Sequence, residues 1–190
     1  MKLLLGAALA LLITISAQAA DPRVVMKTNV GDIVIELYPE KAPATVENFL
    51  RYVNDGFYSG TIFHRVINGF MIQGGGFTGD YVQKPVRESI KNEAANGLKN
   101  RIGSIAMART QQPHSATAQF FVNVADNHFL DFSAPTLRGF GYTVFGQVVK
   151  GMDVVNKIAA TPTGAGGPFP TDVPASTVVI ESVTVIGDAK

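Results

Sequence analysis

Hydrophobic and polar residues alternate near the start of the chain in the manner of paired β-strands. Two runs rich in β-branched residues, 24–28 and 33–38, are separated by the turn-forming stretch 29–32, Asn-Val-Gly-Asp. Alternation with a period of two places every second side chain on the same face, and two such runs joined by a short turn form a hairpin. The sequence therefore predicts an opening β-hairpin.

Two segments show helical spacing instead. After Pro43, apolar residues recur at intervals of three and four from Val46 to Val53, and turn residues at 54–56 end the pattern. A similar spacing extends over 152–159. Apolar positions at these intervals form a single stripe along a helix, and that stripe has to pack against another surface. We therefore predict two amphipathic helices that pack on a sheet.

Short apolar runs and turn-rich connections make up much of the remaining chain. They alternate from 57 to 149, a Gly- and Pro-rich segment that we predict to be flexible covers 161–174, and a closing strand is predicted at 178–186. Several short strands with turn signals indicate an all-β barrel or sandwich. A barrel closed by its own terminal strand has no exposed edge, and the two helices would cover its open ends.

The first residues have the pattern of a secretory signal. Lys2 is followed by an apolar run, 3–13, and by small residues at Ala17 and Ala19 that fit an A-x-A cleavage site. The run is shorter than the roughly 20 apolar residues of a membrane span, so we prefer a cleaved signal to an anchor. Cleavage after Ala19 would leave 20–190 as one domain with its core at about 24–186.

Composition narrows the possible partners. The chain has 16 Lys and Arg against 15 Asp and Glu, and the two numbers become equal once Lys2 is removed. Phosphate binding depends on clustered cations, and no run of basic residues occurs, so nucleic acid is not expected as a partner. No membrane association is expected after signal removal. The absence of cysteine excludes disulfides, thiol nucleophiles and thiolate metal sites.

Several familiar catalytic patterns are missing from the sequence. It has no G-x-S-x-G motif, and His64, His114 and His128 do not have the spacing of a triad or a metal site. We predict a half-buried structural role for His64 and loop or surface roles for the other two. The glycines at 74–76 are not followed by the Gly-Lys-Ser or Gly-Lys-Thr of a phosphate loop, and are expected to mark a bulge or a close approach of another backbone.

Within the stretch 62–77, the permanent cation of Arg65 and the amide of Gln73 lie among large apolar side chains. Successive side chains of a strand point to opposite faces, so Phe63 is expected to share a face with Arg65, and Met71 with Gln73. Such a face suits a ligand that is mostly apolar but carries a polar group, because Arg supplies several donors in a rigid fork.

The adjacent residues Phe120 and Phe121 extend this prediction to a later strand. Neighbouring residues in a strand face opposite ways. If Phe120 packs in the core, Phe121 lies on the other face with Gln119. It would then line the same cleft as Met71.

Four motifs along the chain resemble the signatures of the cyclophilins. They are Phe-His-Arg-Val-Ile at 63–67, Gly-Phe-Met-Ile-Gln-Gly-Gly at 69–75, Ser-Ile-Ala-Met-Ala at 104–108 and Gln-Phe-Phe-Val at 119–122. The resemblance extends over about 24–185, and segments at 91–98 and 145–154 are similar in particular to exported bacterial members. Together with the signal, the resemblance implies a peptidyl-prolyl cis-trans isomerase of the periplasm.

The resemblance also implies a fold, a partner and a set of site residues. The fold is mainly β, a closed eight-stranded antiparallel barrel capped by two α-helices, and a monomer without cofactor or metal is expected. The partner is a proline-containing segment of a folding exported protein. Arg65 would be the catalytic residue. The substrate-binding residues would be Phe70, Met71, Phe121 and Leu130 in the proline pocket, Gln73 and Gln119 along the groove, and the backbone of Ala108 and Arg109.

Four positions depart from the family pattern. Phe129 stands where cytosolic eukaryotic members have tryptophan, and Tyr142 replaces a histidine near the pocket. Arg109 replaces an asparagine and Asn68 a proline. Phe129 and Tyr142 keep an aromatic body that can exclude water, so both are included among the predicted substrate-binding residues. We expect these changes to affect cyclosporin binding more than catalysis.

Alternatives to this interpretation are open at this point. The same groove could bind proline-containing segments without catalysis, in a binding module or holdase chaperone. Arg65 could be a structural cation paired with a carboxylate at the edge of the core, although the surrounding motif favours the catalytic role. A hydrolase or a sugar-binding barrel is a more distant alternative.

Overall fold

The computed structural model describes residues 21–186, and both the predicted signal and the cleavage site after Ala19 lie outside this range. Eight strands of the described chain form a closed antiparallel barrel, and two α-helices accompany it. The predicted fold class is therefore confirmed. The elements are β1 (Arg23–Thr28), β2 (Gly31–Leu37), α1 (Pro43–Asn54), β3 (Thr61–Ile67), β4 (Met71–Thr78), β5 (Ser104–Met107), β6 (Phe120–Asn123), β7 (Val144–Lys150), α2 (Met152–Ala159), β8 (Thr163–Gly166), β9 (Phe169–Pro174) and β10 (Val179–Ile186).

The barrel closes through the pairing of its first and last strands. The strand order is β1-β10-β3-β4-β6-β5-β7-β2, and β1 pairs with β10 on one side and with β2 on the other. The predicted opening hairpin is the β1–β2 pair, with Val25 opposite Val34. Closure pairs each barrel strand on both sides, which removes the exposed edges that promote aggregation. No helix within the described range is long and apolar enough to cross a membrane.

The core fills the barrel and extends beneath the helices. From α1, Phe49 contacts the rings of Tyr58, Phe120 and Phe145 at centroid distances of 5.2, 5.9 and 5.2 Å. Phe120 is fully buried, so its predicted inward orientation is confirmed. The apolar stripe of α2 is buried in the same core. Each large apolar side chain buried in this way stabilises the fold by about 1.5–3 kcal/mol.

The segment predicted to be flexible, 161–174, contains a two-stranded hairpin of β8 and β9. Phe169 at the start of β9 packs on His64 of β3, with ring centroids 5.3 Å apart. Gly167 in the connecting turn lies so close to Tyr81 that a Cβ there would overlap its ring. The prediction of flexibility is wrong, because the glycines that suggested it permit close packing of the hairpin on the barrel.

Candidate active site

A bulge between β3 and β4 determines the direction of Arg65. Phe63 pairs with Gly74 and Arg65 pairs with Gln73, so β3 has one residue more than β4 between these pairs. A bulge of this kind interrupts the alternation of side chains along a strand. Phe63 consequently packs in the core while Arg65 reaches an outer pocket, and the prediction that they share a face is wrong. Met71 and Gln73 do share a face that lines this pocket.

The pocket lies at the junction of β3, β4, β6 and the segments that flank β5 and β7. Its volume is about 120 Å³, well below the roughly 300–1,000 Å³ of pockets for drug-sized ligands, so it suits a single small ring. The described residues that line it all belong to the set predicted from the sequence: Arg65, Phe70, Met71, Gln73, Ala108, Arg109, Phe121, Leu130 and Tyr142.

The apolar side of the pocket is a small cluster separate from the main core. Met71, Phe121 and Leu130 are buried in it, and Phe70 and Tyr142 pack against them. The rings of Phe121 and Tyr142 meet edge to face with centroids 5.7 Å apart. Because these side chains are held by their neighbours, the cluster forms a rigid wall that can exclude water from an apolar ring.

The glycines at 74–76 in β4 allow other residues to pack closely against this strand, beside the polar side of the pocket. At Gly75, which has a φ of 80°, a Cβ would lie 2.7 Å from the ring of Phe120. At Gly76 a Cβ would lie 2.5 Å from Gln119. These two neighbours are side chains, whereas at Gly74 a Cβ would lie 2.9 Å from the backbone carbonyl oxygen of Ile62, beside the bulge, so the predicted bulge and close backbone approach are confirmed there. The Nε2 of Gln73 donates to Oε1 of Gln119 at 3.0 Å, and Gln119 itself lines an adjoining polar cleft.

The guanidinium of Arg65 has two polar neighbours. Its Nη1 donates to Oε1 of Gln73 at 3.5 Å, and its Nε is 3.6 Å from Oδ2 of Asp172 in β9. Arg65 thus has a carboxylate partner, as the structural alternative expected, and it also lines the pocket. A guanidinium carries five N–H donors, so these two contacts leave donors for a ligand.

Arg109 and Tyr142 support one another beside the pocket. The Cζ of Arg109 lies 4.5 Å from the centroid of the Tyr142 ring. The Nε of Arg109 donates to the carbonyl of Gly141 at 2.8 Å, and its Nη1 donates to that of Thr110 at 2.9 Å. A cation–π contact at an exposed site contributes about 0.5–1 kcal/mol. The side chain at 109, and not only the backbone that the resemblance indicated, therefore stiffens one wall.

Phe129 lies beside the pocket rather than in its lining. It is 73% exposed, and its ring stacks on Phe70 with centroids 5.6 Å apart. A single 3-10 turn, His128–Leu130, buries Leu130 and leaves Phe129 on the surface. Phe129 lines a neighbouring cleft together with Arg109. From there it can contact a residue that flanks the one occupying the pocket.

The side chains that line the pocket present mainly hydrogen-bond donors and apolar surface. Its lining within the described chain includes no Ser, Thr, Cys or His side chain that would serve as a nucleophile or its base. His114 and His128 are exposed elsewhere, as predicted. Over residues 21–186, no group of three or more acidic or His side chains is placed to hold a metal ion.

The chain matches one protein family over nearly the whole described range. Residues 23–185 fit the model of the family described as cyclophilin type peptidyl-prolyl cis-trans isomerase/CLD. The chain belongs to the cyclophilins. Its membership and its relatives confirm that it is a peptidyl-prolyl cis-trans isomerase.

Relatives of this cyclophilin include bacterial enzymes and a solved protozoan structure. It is 63% identical over 162 residues to peptidyl-prolyl cis-trans isomerase B of Escherichia coli, a match that covers 85% of this chain and 98% of the relative. It is 52% identical over 170 residues to peptidyl-prolyl cis-trans isomerase A of Dickeya dadantii, covering 90% and 87%. A Cryptosporidium parvum cyclophilin has a TM-score of 0.69 at 27% identity, covering 88% of this chain and 99% of its own.

Three buried asparagines that were not predicted from the sequence support the pocket of this cyclophilin. Asn127 donates to the carbonyl of Phe70 at 2.9 Å and to Oδ1 of Asn123 at 2.7 Å. Asn100 donates to the carbonyl of Leu130 at 3.2 Å. These bonds fix two residues of the pocket wall that lie outside the strands. An isolated Asn has no periodic signal that distinguishes it from a surface turn residue, so the sequence alone does not select them.

His64, which precedes Arg65 in β3, is buried rather than half-buried. It is 3% exposed and packs against Phe77 at 4.7 Å and Phe169 at 5.3 Å between ring centroids. Among the described residues, its Nδ1 has no hydrogen-bond partner. Burial and then the charge of Arg65 lower the pKa of His64 from 6.5 to about 4, and the carbonyl of Ile62 opposes this shift only in part. His64 is therefore a neutral packing residue near pH 7.

Protonation of His64 is expected to destabilise the fold in mild acid. The pKa of His64 is about 4 in the folded state and 6.5 ordinarily, so the unfolded chain binds the proton more readily. The stabilisation is complete above pH 6.5 and is lost as the pH falls from there to about 4. The loss amounts to about 3 kcal/mol. Urea unfolding at several pH values would measure it.

The matched variant for this experiment is His64→Phe, which keeps an aromatic ring and removes the titrating nitrogen atoms. The free energy of unfolding of His64→Phe should fall less than that of the wild type between pH 7 and pH 4. Equal slopes for the two proteins would contradict the assignment, since other groups would then cause the whole acid response.

Proposed function

We propose that the pocket beside Arg65 is where this cyclophilin rotates X-Pro peptide bonds, with the proline ring inside and the guanidinium at the amide nitrogen. The observation that carries this assignment is the guanidinium of Arg65 at the edge of a small apolar pocket, since the second guanidinium of the lining, that of Arg109, is engaged by the ring of Tyr142 and by two backbone carbonyls. The Cryptosporidium parvum relative was also solved in the presence of the dipeptide Ala-Pro. A proline ring is an apolar group of the size that the pocket suits.

Isomerisation requires rotation but no bond cleavage. The peptide bond resists rotation because the nitrogen lone pair is delocalised into the carbonyl, which gives a barrier of roughly 18–20 kcal/mol. For X-Pro the two isomers are close in energy but exchange in tens to hundreds of seconds. In the twisted transition state this resonance is lost, and the nitrogen lone pair can accept a hydrogen bond. An enzyme accelerates exchange by binding this state more tightly than either planar one.

The residues of the pocket divide this task between them. Arg65 donates to the nitrogen only in the twisted state, while Phe70, Met71 and Phe121 hold the ring. Gln73 and the backbone at 108–109 bind the adjoining chain as it turns. One well-aimed donor in a preorganised site contributes about 3–4 kcal/mol. Because this is a fraction of the barrier, immobilising the ring and removing water from the amide must supply the remainder.

Line-exchange NMR of an X-Pro peptide tests this proposal directly. The wild-type chain must accelerate cis-trans exchange, and Arg65→Ala must be much slower while its fold is intact. Catalysis that survives in full without the guanidinium would assign the chemistry to other groups.

We further propose that the protein acts as a monomer in the periplasm on proline-containing segments of folding exported proteins. Lys2, the apolar run 3–13 and the small residues at Ala17 and Ala19 support export. Expressed in a Gram-negative host, the chain should be recovered from the periplasmic fraction with a mass that begins at Ala20. A chain shortened to begin at Ala20 should stay in the cytoplasm. Retention of Lys2, or recovery of the full-length chain from the cytoplasm, would contradict the proposal.

A further inference from the structure

The β8–β9 hairpin brings an acidic side chain to the proposed catalytic arginine. Oδ2 of Asp172 is 3.6 Å from Nε of Arg65, whereas Gln73 contacts the Nη1 of the same guanidinium. Gln73 is part of the pocket wall, and Asp172 is not. We infer that Asp172 is a positioning residue that orients the guanidinium of Arg65 toward the pocket. This inference rests on the role proposed for Arg65.

A bulge in β9 places the Asp172 carboxylate. Val173 pairs with Gly164, and Phe169 pairs with Gly166, so β9 has more residues than β8 between these two pairs. Asp172 lies within this irregularity and has a φ of 67°, in the left-handed region that Asp, Asn and Gly tolerate best. Its neighbour Val173 is buried. Bulges beside active sites redirect side chains, and this one directs a carboxylate to the arginine.

The hairpin that carries Asp172 is fixed to the barrel at its other end. The ring of Phe169 packs on His64, on Phe77 at 5.1 Å and on Tyr81 at 6.3 Å between centroids. His64 immediately precedes Arg65 in β3, so the aromatic cluster joins the hairpin to the strand that carries the arginine. The distance between the carboxylate and the guanidinium is therefore set by packed structure rather than by a mobile loop.

The chemistry of the pair fits a positioning role. The side chain of Arg65 is 43% exposed, so without a partner it would also occupy rotamers that point into solvent. A carboxylate on Nε restrains the side chain and leaves terminal N–H donors for the substrate. Pairs that are this exposed contribute little to folding stability. The main effect is therefore expected in catalysis, because orientation of a reacting group strongly affects rate.

Two substitutions separate the charge of Asp172 from its backbone. Asp172→Asn and Asp172→Gly both accept the left-handed conformation, and both remove the negative charge. Each should lower kcat about five- to tenfold with little change in KM, because the lost orientation matters only in the transition state. The thermal midpoint should be nearly unchanged. In the NMR spectrum, the Nε–H signal of Arg65 should broaden as the side chain samples several rotamers, which loss of the neighbouring charge alone would not cause.

A double-mutant cycle completes the test. In the Arg65→Ala background, Asp172→Asn should have no further effect on kcat/KM, since the group that it positions is gone. Asp55→Asn is the matched control, because it removes a carboxylate from an exposed ion pair with Arg87 away from the pocket. Asp55→Asn should leave kcat/KM unchanged.

The outcomes distinguish this inference from the proposal beneath it. If Arg65→Ala retains full activity, the role proposed for Arg65 is wrong, and the positioning role of Asp172 is wrong with it. If Arg65→Ala is impaired but both Asp172 variants have the wild-type kcat, only the positioning role is overturned. An equal loss from Asp172→Asn in the wild-type and Arg65→Ala backgrounds would also overturn it.

Discussion

Arg65→Ala is expected to lower kcat/KM for an X-Pro peptide by about 100- to 1,000-fold. The guanidinium of Arg65 is at the edge of the pocket and has donors left for an amide nitrogen, whereas that of Arg109 is engaged by the ring of Tyr142 and by backbone carbonyls. Removing the Arg65 guanidinium eliminates a hydrogen bond that forms only when the peptide bond twists, so kcat should fall by a factor similar to that for kcat/KM. Line-exchange NMR measures the rate without a coupled protease, and it remains sensitive at high enzyme concentration.

Two controls make this result specific to the donor. The apolar wall does not depend on Arg65, so Arg65→Ala should still bind a proline-containing peptide with an affinity close to that of the wild type. Arg65→Lys keeps the charge but loses the planar fork, and should recover only part of the rate. A protein that binds the peptide but catalyses no exchange, with or without Arg65, would instead support the holdase alternative.

The limits of sequence-based prediction are clearest around Arg65. Alternation correctly predicted that Met71 and Gln73 share a face and that Phe120 and Phe121 point in opposite directions. It failed at Phe63, because the bulge adds one residue to β3 without any break in the hydrophobic pattern. Bulges depend on how two strands pair, and that information is absent from either strand alone.

The β8–β9 hairpin shows a second limit. Its glycines and prolines predicted flexibility, since these residues usually mark loops. Their structural role depends on Tyr81 and His64, which are distant in sequence, and no local pattern includes such neighbours. Asp172 belongs to this hairpin, so its contact with Arg65 could not have been predicted either. Seven of the nine pocket residues, by contrast, lie in or next to the motifs that resemble the cyclophilins, and the same resemblance identified the other two, Leu130 and Tyr142.

The second large effect is expected from Phe120→Ala and Phe121→Ala, which should separate stability from substrate binding. Phe120 is fully buried among the rings of Phe49, Tyr58 and Phe63. Phe120→Ala should therefore lower the free energy of unfolding by about 3–5 kcal/mol, through lost burial and the cavity left behind. At a temperature where it is still folded, its kcat/KM per folded molecule should stay close to that of the wild type, because Phe120 belongs to the main core and does not line the pocket.

Phe121→Ala should weaken catalysis as well as stability, because Phe121 is buried and also forms part of the pocket wall. Phe121 belongs to the small cluster that forms the pocket wall, so its removal takes away the surface against which the proline ring packs. The loss of about 1.5–3 kcal/mol of apolar contact corresponds to a fall in kcat/KM of about 10- to 100-fold. Urea unfolding followed by circular dichroism, together with line-exchange kinetics on both variants, compares the two effects. If Phe120→Ala weakened catalysis per folded molecule as much as Phe121→Ala, the two faces of β6 would not be energetically separate, and ring immobilisation could not be assigned to the pocket wall.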